Sequence, residues 1–276
     1  MAGPDAAAEG SATLTARLAE RYSSGAEDYL RYWAPVIRPL GERLVAALPL
    51  AGSRRVLDVA TGVGVLAPAI RAAAPRAAVI GVDRSEGMLR VAQRRNEAAL
   101  ALMDAQRLGV REASVDAVVL AFCLFRLHDP RRGLEEARRV LRPGGAVGST
   151  TWGQDQSSAA VDVWNRALDA WGADPQPDDI IDRHADVDTP EKVRRLHEAA
   201  GLVEVHAWTE RFEQQWTPEQ LLAIRATCGR SRQRFESLAP ERRGAFLADA
   251  RARLAALPSE AFSYRPEVVF AVSRRG

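Results

Sequence analysis

Apolar, strand-like segments alternate with helix-like segments between residues 55 and 152, and this alternation limits the possible folds more than any other feature. The strand-like segments are residues 55–59, 78–83, 100–104, 115–122 and 146–152. Strands separated by helices form βαβ units with right-handed crossovers, which place the strands side by side and parallel. The sequence therefore predicts an α/β protein with a mostly parallel sheet.

The segment that precedes this core is helical in pattern. Residues 1–12 are mostly small and predict a disordered tail, because small residues cannot offset the entropy lost on ordering. The pattern of residues 13–49 predicts two helices, separated at Pro35 and Pro39. We expect these helices to form an N-terminal cap.

The segment that follows the core predicts two more strands, at residues 203–212 and 268–273. The chain between them is too long for a hairpin loop and has helical patterns. We therefore expect residues 50–276 to form one domain, with a helical lid inserted at about 213–262.

Local signals mark several helix ends. Ser85, Thr189 and Thr217 each precede a helical pattern and can cap it. The run Arg142-Pro143-Gly144-Gly145 is typical of a helix stop, so the helix that begins near Arg131 is predicted to end there.

Composition excludes several kinds of protein. The sequence has no apolar run of the about 18 residues that a membrane helix requires, and its start lacks the pattern of a secretory signal. The 38 Lys and Arg residues are interspersed with 36 Asp and Glu residues, which indicates a solvated surface and no nucleic-acid partner. Two cysteines make no disulfide framework. We expect a cytoplasmic protein that binds neither membrane nor nucleic acid.

The sequence predicts no metal site. The acidic stretch at residues 178–186 matches no EF-hand or zinc spacing, and it is interpreted as a solvated loop. His197 and His206 are interpreted as surface or strand residues.

A ligand site is predicted where the first two strands end. Asp58 precedes a turn of small residues, which allow close approach to a ligand, and the next helix offers N–H donors. Asp83 ends the next strand, where an acid can accept hydrogen bonds from ribose hydroxyls. The third glycine of the dinucleotide pattern G-x-G-x-x-G is missing, and Asp58 would repel a pyrophosphate but tolerate a cation. A nicotinamide-dependent oxidoreductase is therefore the alternative rather than the main hypothesis.

Five motifs occur in order along this core. They are VLDVATGVGVLAPAI (56–70), VIGVDRSEGML (79–89), LMDAQRL (102–108), VDAVVLAFCLFRLHDP (115–130) and RRVLRPGGAVGSTTW (138–152). With these motifs the sequence resembles the class I S-adenosylmethionine-dependent methyltransferases, in particular their small-molecule branch of ubiquinone/menaquinone (methyltransferase type 11-like) enzymes. The resemblance implies a Rossmann-like, doubly wound, seven-stranded sheet with an antiparallel last strand, and S-adenosyl-L-methionine as cofactor.

The resemblance also implies a role for each matching position. On the methionine side, the turn Ala60-Thr61-Gly62 would contact the cofactor, Asp58 would hold the turn, Phe122 would flank the methionine and Tyr22 would close over its carboxylate.

On the nucleoside side, Asp83 would bind the ribose, and Arg84 and Met88 would lie beside the adenine. Asp104 would accept from the adenine amino group, and Ala105 would offer its backbone N–H.

The resemblance says less about the residues that would contact the methyl acceptor. Many relatives carry a His-His pair after the fourth strand, where this sequence has Phe125 and Arg126, so no catalytic residue carries over; His128 and Tyr29 are the candidates. Trp33, Phe125 and Trp152 are candidates for substrate binding.

The resemblance implies methyl transfer to an O, N or C atom of a small metabolite or biosynthetic intermediate, by in-line displacement that depends on proximity and a dry pocket. A cofactor-binding protein that does not methylate is the other alternative, and the oligomeric state stays open.

Overall fold

A computed structural model describes residues 4–95, 98–154, 158–175 and 181–276. In the part of the chain so described, the strands are β1 (Arg55–Val59), β2 (Ala78–Asp83), β3 (Ala99–Leu102), β4 (Val115–Ala121), β5 (Leu141–Trp152), β6 (Leu202–Arg211), β7 (Gln214–Gln215), β8 (Ser263–Tyr264) and β9 (Glu267–Arg275). Seven of them form one sheet in the order β3-β2-β1-β4-β5-β9-β6, and β7 pairs with β8 in a separate ribbon. The α/β fold predicted from the sequence is confirmed.

The strand directions match the prediction as well. The first five strands are mutually parallel, whereas β9 runs antiparallel to both β5 and β6. In β4, Val118, Val119 and Leu120 are fully buried, as expected for a central strand covered by helices on both faces. The strand order reverses between β1 and β4, and ligands of such sheets bind in the crevice at the carboxyl ends of these strands.

Helices that follow the parallel strands begin where the local signals predict. The helices of this region are α4 (Ala67–Ala73), α5 (Glu86–Gln93), α6 (Pro130–Val140) and α9 (Pro190–Ala199). Ser85 Oγ accepts from the N–H of Met88 at the start of α5, and Thr189 Oγ1 accepts from that of Lys192 at the start of α9. Both predicted caps are confirmed.

The N-terminal segment differs from the prediction in two ways. It consists of α1 (Pro4–Ser24), α2 (Ala26–Asp28), a π-helical turn (Tyr29–Trp33) and α3 (Ala34–Ala47). The predicted tail is helical from Pro4 onward, which agrees with the high helix propensity of its alanines, and residues 1–3 lie outside the described residues. The helix is interrupted at Gly25, between α1 and α2. Pro35 does not interrupt it, because Pro35 lies in the first turn of α3, where proline is tolerated.

The C-terminal insertion is helical, as its pattern predicts. Its helices are α10 (Pro218–Thr227), α11 (Gly229–Glu236) and α12 (Pro240–Ala255), and α7 (Ala159–Ala170) packs against α12. Thr217 starts α10 with a capping box. Trp164 and Phe246 are fully buried in an apolar cluster that joins these helices to the N-terminal segment through Val36. The proposed boundaries of cap, domain and lid stay predictions.

The Arg-Pro-Gly-Gly run marks the end of a helix, as predicted, because α6 ends at Val140 directly before it. The next strand differs from the prediction, since β5 begins at Leu141 and includes the run. The extra residues form an irregularity between the Val115–Leu141 and Ala117–Ala146 pairs, where Gly144 has a φ of 74°. A glycine can adopt this left-handed conformation, so the strand continues through the run as a bulge.

The acidic stretch is described only in part, since residues 176–180 lie outside the described residues. Residues 184–187 form the short helix α8 (His184–Val187), so the interpretation as a loop is wrong there, although Asp182 and Asp186 are exposed to solvent. Among the residues that the structure describes, no cluster of His, Cys, Asp and Glu could hold a metal ion. The same residues include no helix long and apolar enough to cross a membrane.

His197 is a core residue, and its interpretation as a surface residue is wrong. It lies on α9 with no exposed surface, and its Nε2 and Nδ1 lie 2.8 Å from the hydroxyls of Ser149 and Ser273. These serines come from β5 and β9, so only the pairing of the two strands completes the environment of the imidazole. Burial lowers the pKa of His197 from 6.5 to about 3.

Replacing His197 with glutamine should flatten the pH dependence of the free energy of unfolding. Because its pKa is depressed, the folded protein binds fewer protons at His197 than the unfolded chain does. The stability that results is complete above pH 6.5 and is lost as the pH falls toward about 3. Between pH 8 and pH 5 we expect wild type to lose about 2 kcal/mol more than H197Q, measured by urea unfolding. An equal loss in the two proteins would contradict this role.

Candidate functional site

A cavity of about 810 Å³ opens at the carboxyl ends of β1, β2 and β4, and we call it the first cavity. The sequence-predicted residues in its wall are Tyr22, Ala60, Gly62, Asp83, Arg84, Met88, Asp104, Ala105 and Phe122. Asp58 and Thr61 lie behind the wall and line a smaller adjoining cavity of about 400 Å³. The structure thus brings together the residues predicted to bind the cofactor, although they come from five separate segments.

The turn after β1 is held in an unusual backbone conformation. Ala60 and Gly62 have φ values of 58° and 55°, in the left-handed region that an alanine rarely adopts. A side chain at Gly62 would point into open space, so its absence widens the first cavity. Strain of this kind persists where the surrounding structure fixes it, and it occurs most often at ligand sites.

Asp58 fixes the turn from behind. It is 1% exposed, and its Oδ2 accepts a hydrogen bond of 2.6 Å from Thr61 Oγ1. Burial raises the pKa of Asp58 to about 7, with a smaller increase from the charge of Asp83 and a decrease from the Thr61 hydrogen bond. A cationic ligand in the neighbouring cavity would favour the ionised form of this carboxyl.

Asp83 joins the turn to the next helix. Its Oδ2 accepts from the N–H of Gly62 and its Oδ1 from that of Ser85, both at 2.8 Å. Burial raises its pKa, while the backbone N–H donors act in the opposite direction. Each carboxylate oxygen has a second lone pair, so Asp83 can also accept two hydroxyl groups from a ligand in the first cavity.

At the end of the first cavity away from the turn, an ion pair lies beside apolar side chains. Arg84 Nη1 donates to Asp104 Oδ2 at 2.9 Å, and Asp104 Oδ1 accepts from the N–H of Gln106. Met88 and Met103 supply apolar surface beside this pair. A flat ring with a polar edge, such as a nucleobase, matches this combination of surfaces.

A second cavity, of about 1250 Å³, lies between the N-terminal segment and the insertion. It meets the first cavity at four residues that line both, namely Tyr22, Tyr29, Phe122 and Arg126. The substrate candidates Trp33, Phe125 and Trp152 line it too. The ring of Trp152 lies 4.5 Å from that of Phe122 and 5.9 Å from that of Trp33, so one aromatic wall runs away from the junction.

The two catalytic candidates occupy different places. Tyr29 lies at the junction of the cavities within the π-helical turn, with its ring 6.1 Å from that of Tyr22. Burial raises the pKa of Tyr29 well above its ordinary value, so its hydroxyl keeps its proton at neutral pH. His128 is exposed and belongs to the wall of neither cavity.

Several wall residues were missed by the sequence reasoning. Trp216, Arg225 and Tyr264 line the second cavity from the insertion, and Arg126 lines both cavities. Nothing in the local sequence distinguishes them from ordinary residues of amphipathic helices and loops. The aromatic content of the insertion was the one available signal, and it does not show which rings face a cavity.

Residues 57–148, which contain most of β1, all of β2 to β4 and most of the first-cavity wall, match the family described as "Methyltransferase domain". Over these residues the chain is similar to a methyltransferase domain. The match includes the turn at Ala60, the acids Asp83 and Asp104, and Phe122.

Curated relatives carry the same domain with different acceptors in their names. The demethylmenaquinone methyltransferase of Clavibacter sepedonicus is 42% identical over 106 residues, which are 37% of this chain and 42% of that protein. The malonyl-[acyl-carrier protein] O-methyltransferase of Methylococcus capsulatus is 31% identical over 144 residues, which are 50% of this chain and 52% of that protein. The chain therefore spans about half the length of the curated relatives that it matches.

The fold extends beyond the matched residues. A solved structure from Thermotoga maritima, described as a SAM-dependent methyltransferase and possible histamine N-methyltransferase, aligns with a TM-score of 0.54 at 16% identity. The alignment covers 93% of this chain and 99% of that one. The fold shared with that structure thus includes the terminal strands and helices outside residues 57–148.

The residues of the first cavity fit S-adenosylmethionine. The open space above Gly62 leaves room against the turn, and the buried carboxyl of Asp58 lies behind it for a cationic centre. Asp83 and Asp104 are acceptors placed for a ribose and an amino group, on the same wall as the apolar Met88. Methionine, ribose and adenine each have a chemically matching surface in this cavity.

Proposed function

We propose that this chain transfers the methyl group of S-adenosylmethionine to a small-molecule acceptor. The observation that carries the proposal is the junction of two cavities at Tyr22, Tyr29, Phe122 and Arg126. The first cavity would hold the cofactor, and the second would hold the acceptor. A methyl donor and an acceptor that are both bound at this junction are already close together. Holding the two reactants in contact lowers the barrier to the reaction.

S-adenosylmethionine supplies a methyl group already activated on a sulfonium. The residues of the chain would therefore mainly bind, orient and exclude water. Asp83 and Asp104 would fix the nucleoside, and the turn at Ala60–Gly62 would fix the methionine. Phe122 and Tyr22 would present ring faces near the positive charge, which such faces attract.

Tyr29 is the candidate for direct contact with the reacting atoms. Its hydroxyl keeps its proton because burial raises its pKa, so it would act as a hydrogen-bond donor at the junction rather than as a base. No general base is required where the acceptor is a phenolate or an amine. The choice among O, N and C as the methylated atom stays open, since the names of the relatives include different acceptors.

Calorimetric titration of the protein with S-adenosylhomocysteine, NAD⁺ and NADP⁺ tests the proposal. We expect S-adenosylhomocysteine to bind with a stoichiometry of one and the nicotinamide cofactors not to bind. Binding of a nicotinamide cofactor without S-adenosylhomocysteine would support the oxidoreductase alternative instead. A cocrystal whose cofactor sulfur faces away from the second cavity would support a protein that does not methylate.

The cellular setting is part of the proposal. The cytoplasmic location, the absence of a nucleic-acid partner and the small-molecule nature of the acceptor stay predictions from the sequence. Both cysteines are free thiols, which is compatible with a reducing compartment.

A further inference from the structure

Arg225 is a half-buried cation in the wall of the second cavity. It lies on α10, and its guanidinium donates one hydrogen bond, from Nη2 to Asn165 Oδ1 at 3.3 Å. Its Nε is buried and has no partner. Within the described residues, no carboxylate pairs with it. Burial lowers the pKa of Arg225 to about 10, but the side chain is still charged at neutral pH.

A partly buried charge without a counter-charge among its described neighbours is unusual. Removing a guanidinium from water costs free energy that an ion pair and hydrogen bonds normally offset. Among the described residues, Arg225 has no ion pair and makes a single hydrogen bond, of 3.3 Å, to a neutral amide. A group that is absent from the free protein and enters the cavity with its ligand can supply the missing negative charge.

The other charges around the cavity increase this positive excess. Among the described residues of its wall, Arg126 and Arg230 are also cationic, and Asp182 is the one carboxylate. Asp182 already pairs with Arg126, whose Nη1 lies 3.7 Å from its Oδ2. His184 of α8 lines the cavity as well. The described part of the wall therefore has more positive than negative charge, and Asp182 is already paired.

The remaining wall is aromatic. Trp33 and Trp152 line the side near the sheet, and Trp216 and Tyr264 stack at 4.4 Å on the side of the insertion. Flat apolar surfaces of this kind bind flat, conjugated molecules. An arginine next to them is suited to a carboxylate, because its planar donors match two carboxylate oxygens.

We propose that the second cavity binds a flat aromatic acid, with the carboxylate of the acid on Arg225 and its ring against the aromatic wall. The proposal rests on the proposed function only in naming this molecule as the methyl acceptor. Binding of the acid itself can be measured without catalysis.

The test compares 2-naphthoate with its neutral amide, 2-naphthamide. Each is titrated into the full chain, with and without saturating S-adenosylhomocysteine, and binding is followed through quenching of tryptophan fluorescence. We expect 2-naphthoate to bind wild type about tenfold more tightly than 2-naphthamide. In R225Q this preference should vanish while 2-naphthamide affinity is unchanged, and R225K should keep part of the preference because it retains the charge.

A matched variant controls for the loss of an arginine. Arg251 is exposed on α12, outside the walls of both cavities, so R251Q should behave as wild type. Equal binding of 2-naphthoate and 2-naphthamide by wild type would overturn the inference, as would a preference that survives in R225Q. If circular dichroism shows that R225Q does not fold, the preference for 2-naphthoate over 2-naphthamide is compared between wild type and R225K instead. An equal preference in these two proteins would then overturn the inference.

The same titrations separate this inference from the proposed function. If wild type fails to bind S-adenosylhomocysteine but still prefers 2-naphthoate, the proposed function is wrong and the anion site stands. If S-adenosylhomocysteine binds and the preference is absent, the anion site is wrong and the proposed function stands.

Discussion

Replacing Asp83 with alanine should weaken the binding of S-adenosylhomocysteine by about a hundredfold, or about 3 kcal/mol. Two losses add up in this variant. The ligand loses charge-assisted hydrogen bonds to its ribose, and the turn loses its anchor, because Asp83 also accepts from the N–H groups of Gly62 and Ser85. Titration calorimetry of wild type and D83A measures the difference directly.

Asp116 provides the matched control. It too accepts from two backbone N–H groups at 2.8 Å, those of Arg54 and Arg55, but it lies at the amino end of β4, on the opposite edge of the sheet. D116A should therefore lower the melting temperature while leaving ligand affinity within about twofold of wild type. If D83A and D116A weaken binding equally, the effect is general destabilisation, and the ribose role of Asp83 is wrong.

Replacing Gly87 with alanine should lower the affinity for S-adenosylhomocysteine by about thirtyfold, or about 2 kcal/mol. A Cβ at this position would lie 2.5 Å from the carbonyl oxygen of Ser23 and 2.6 Å from its Cα. These are backbone atoms of α1, so the clash can be relieved only by moving the whole helix. Since α1 supplies Leu18 and Tyr22 to the first cavity, its displacement opens the ligand site to water.

Two measurements make this result specific. Trypsin should cleave G87A faster than wild type at Arg17 and Arg21 of α1, because a displaced helix unfolds locally more often. Gly244 on α12 is the control, since a Cβ there meets nothing within 4 Å. G244A should bind as wild type and gain about 0.5–1 kcal/mol of stability from the better helix propensity of alanine. Unchanged affinity and proteolysis in G87A would show that α1 is not docked as described.

Much of the fold could be predicted because its signals are local. The apolar runs of β1, β2 and β4, and the caps at Ser85 and Thr189, depend on a few consecutive residues. The candidate site followed from the same signals, since residues that end parallel strands meet at one edge of the sheet. For this reason Asp58 and Asp83 could be proposed to lie at one site, although 25 positions separate them, whereas Asp104 followed only from the family resemblance.

The failures concern residues whose environment comes from distant segments. His197 is buried because β5 and β9 each bring a serine to it, and no pattern on α9 encodes that meeting. The Arg-Pro-Gly-Gly run ends α6 as predicted, but the strand begins earlier than predicted, because pairing with β4 starts β5 at Leu141 and the run forms a bulge in it. Strand pairing overrides local preference where the neighbouring strand supplies hydrogen bonds.

The sequence by itself determined the class of fold, the edge of the sheet that holds the ligand, and the type of ligand that its acids and small residues suit. Tertiary structure alone decided that Tyr29 lies at the junction of two cavities and that Arg225 lines the second one with no counter-ion among the described residues. The physical reason is the range of the interactions. Periodicity, capping and turn chemistry act within a few residues, whereas a cavity and the charge inside it arise only when helices far apart in the chain pack together.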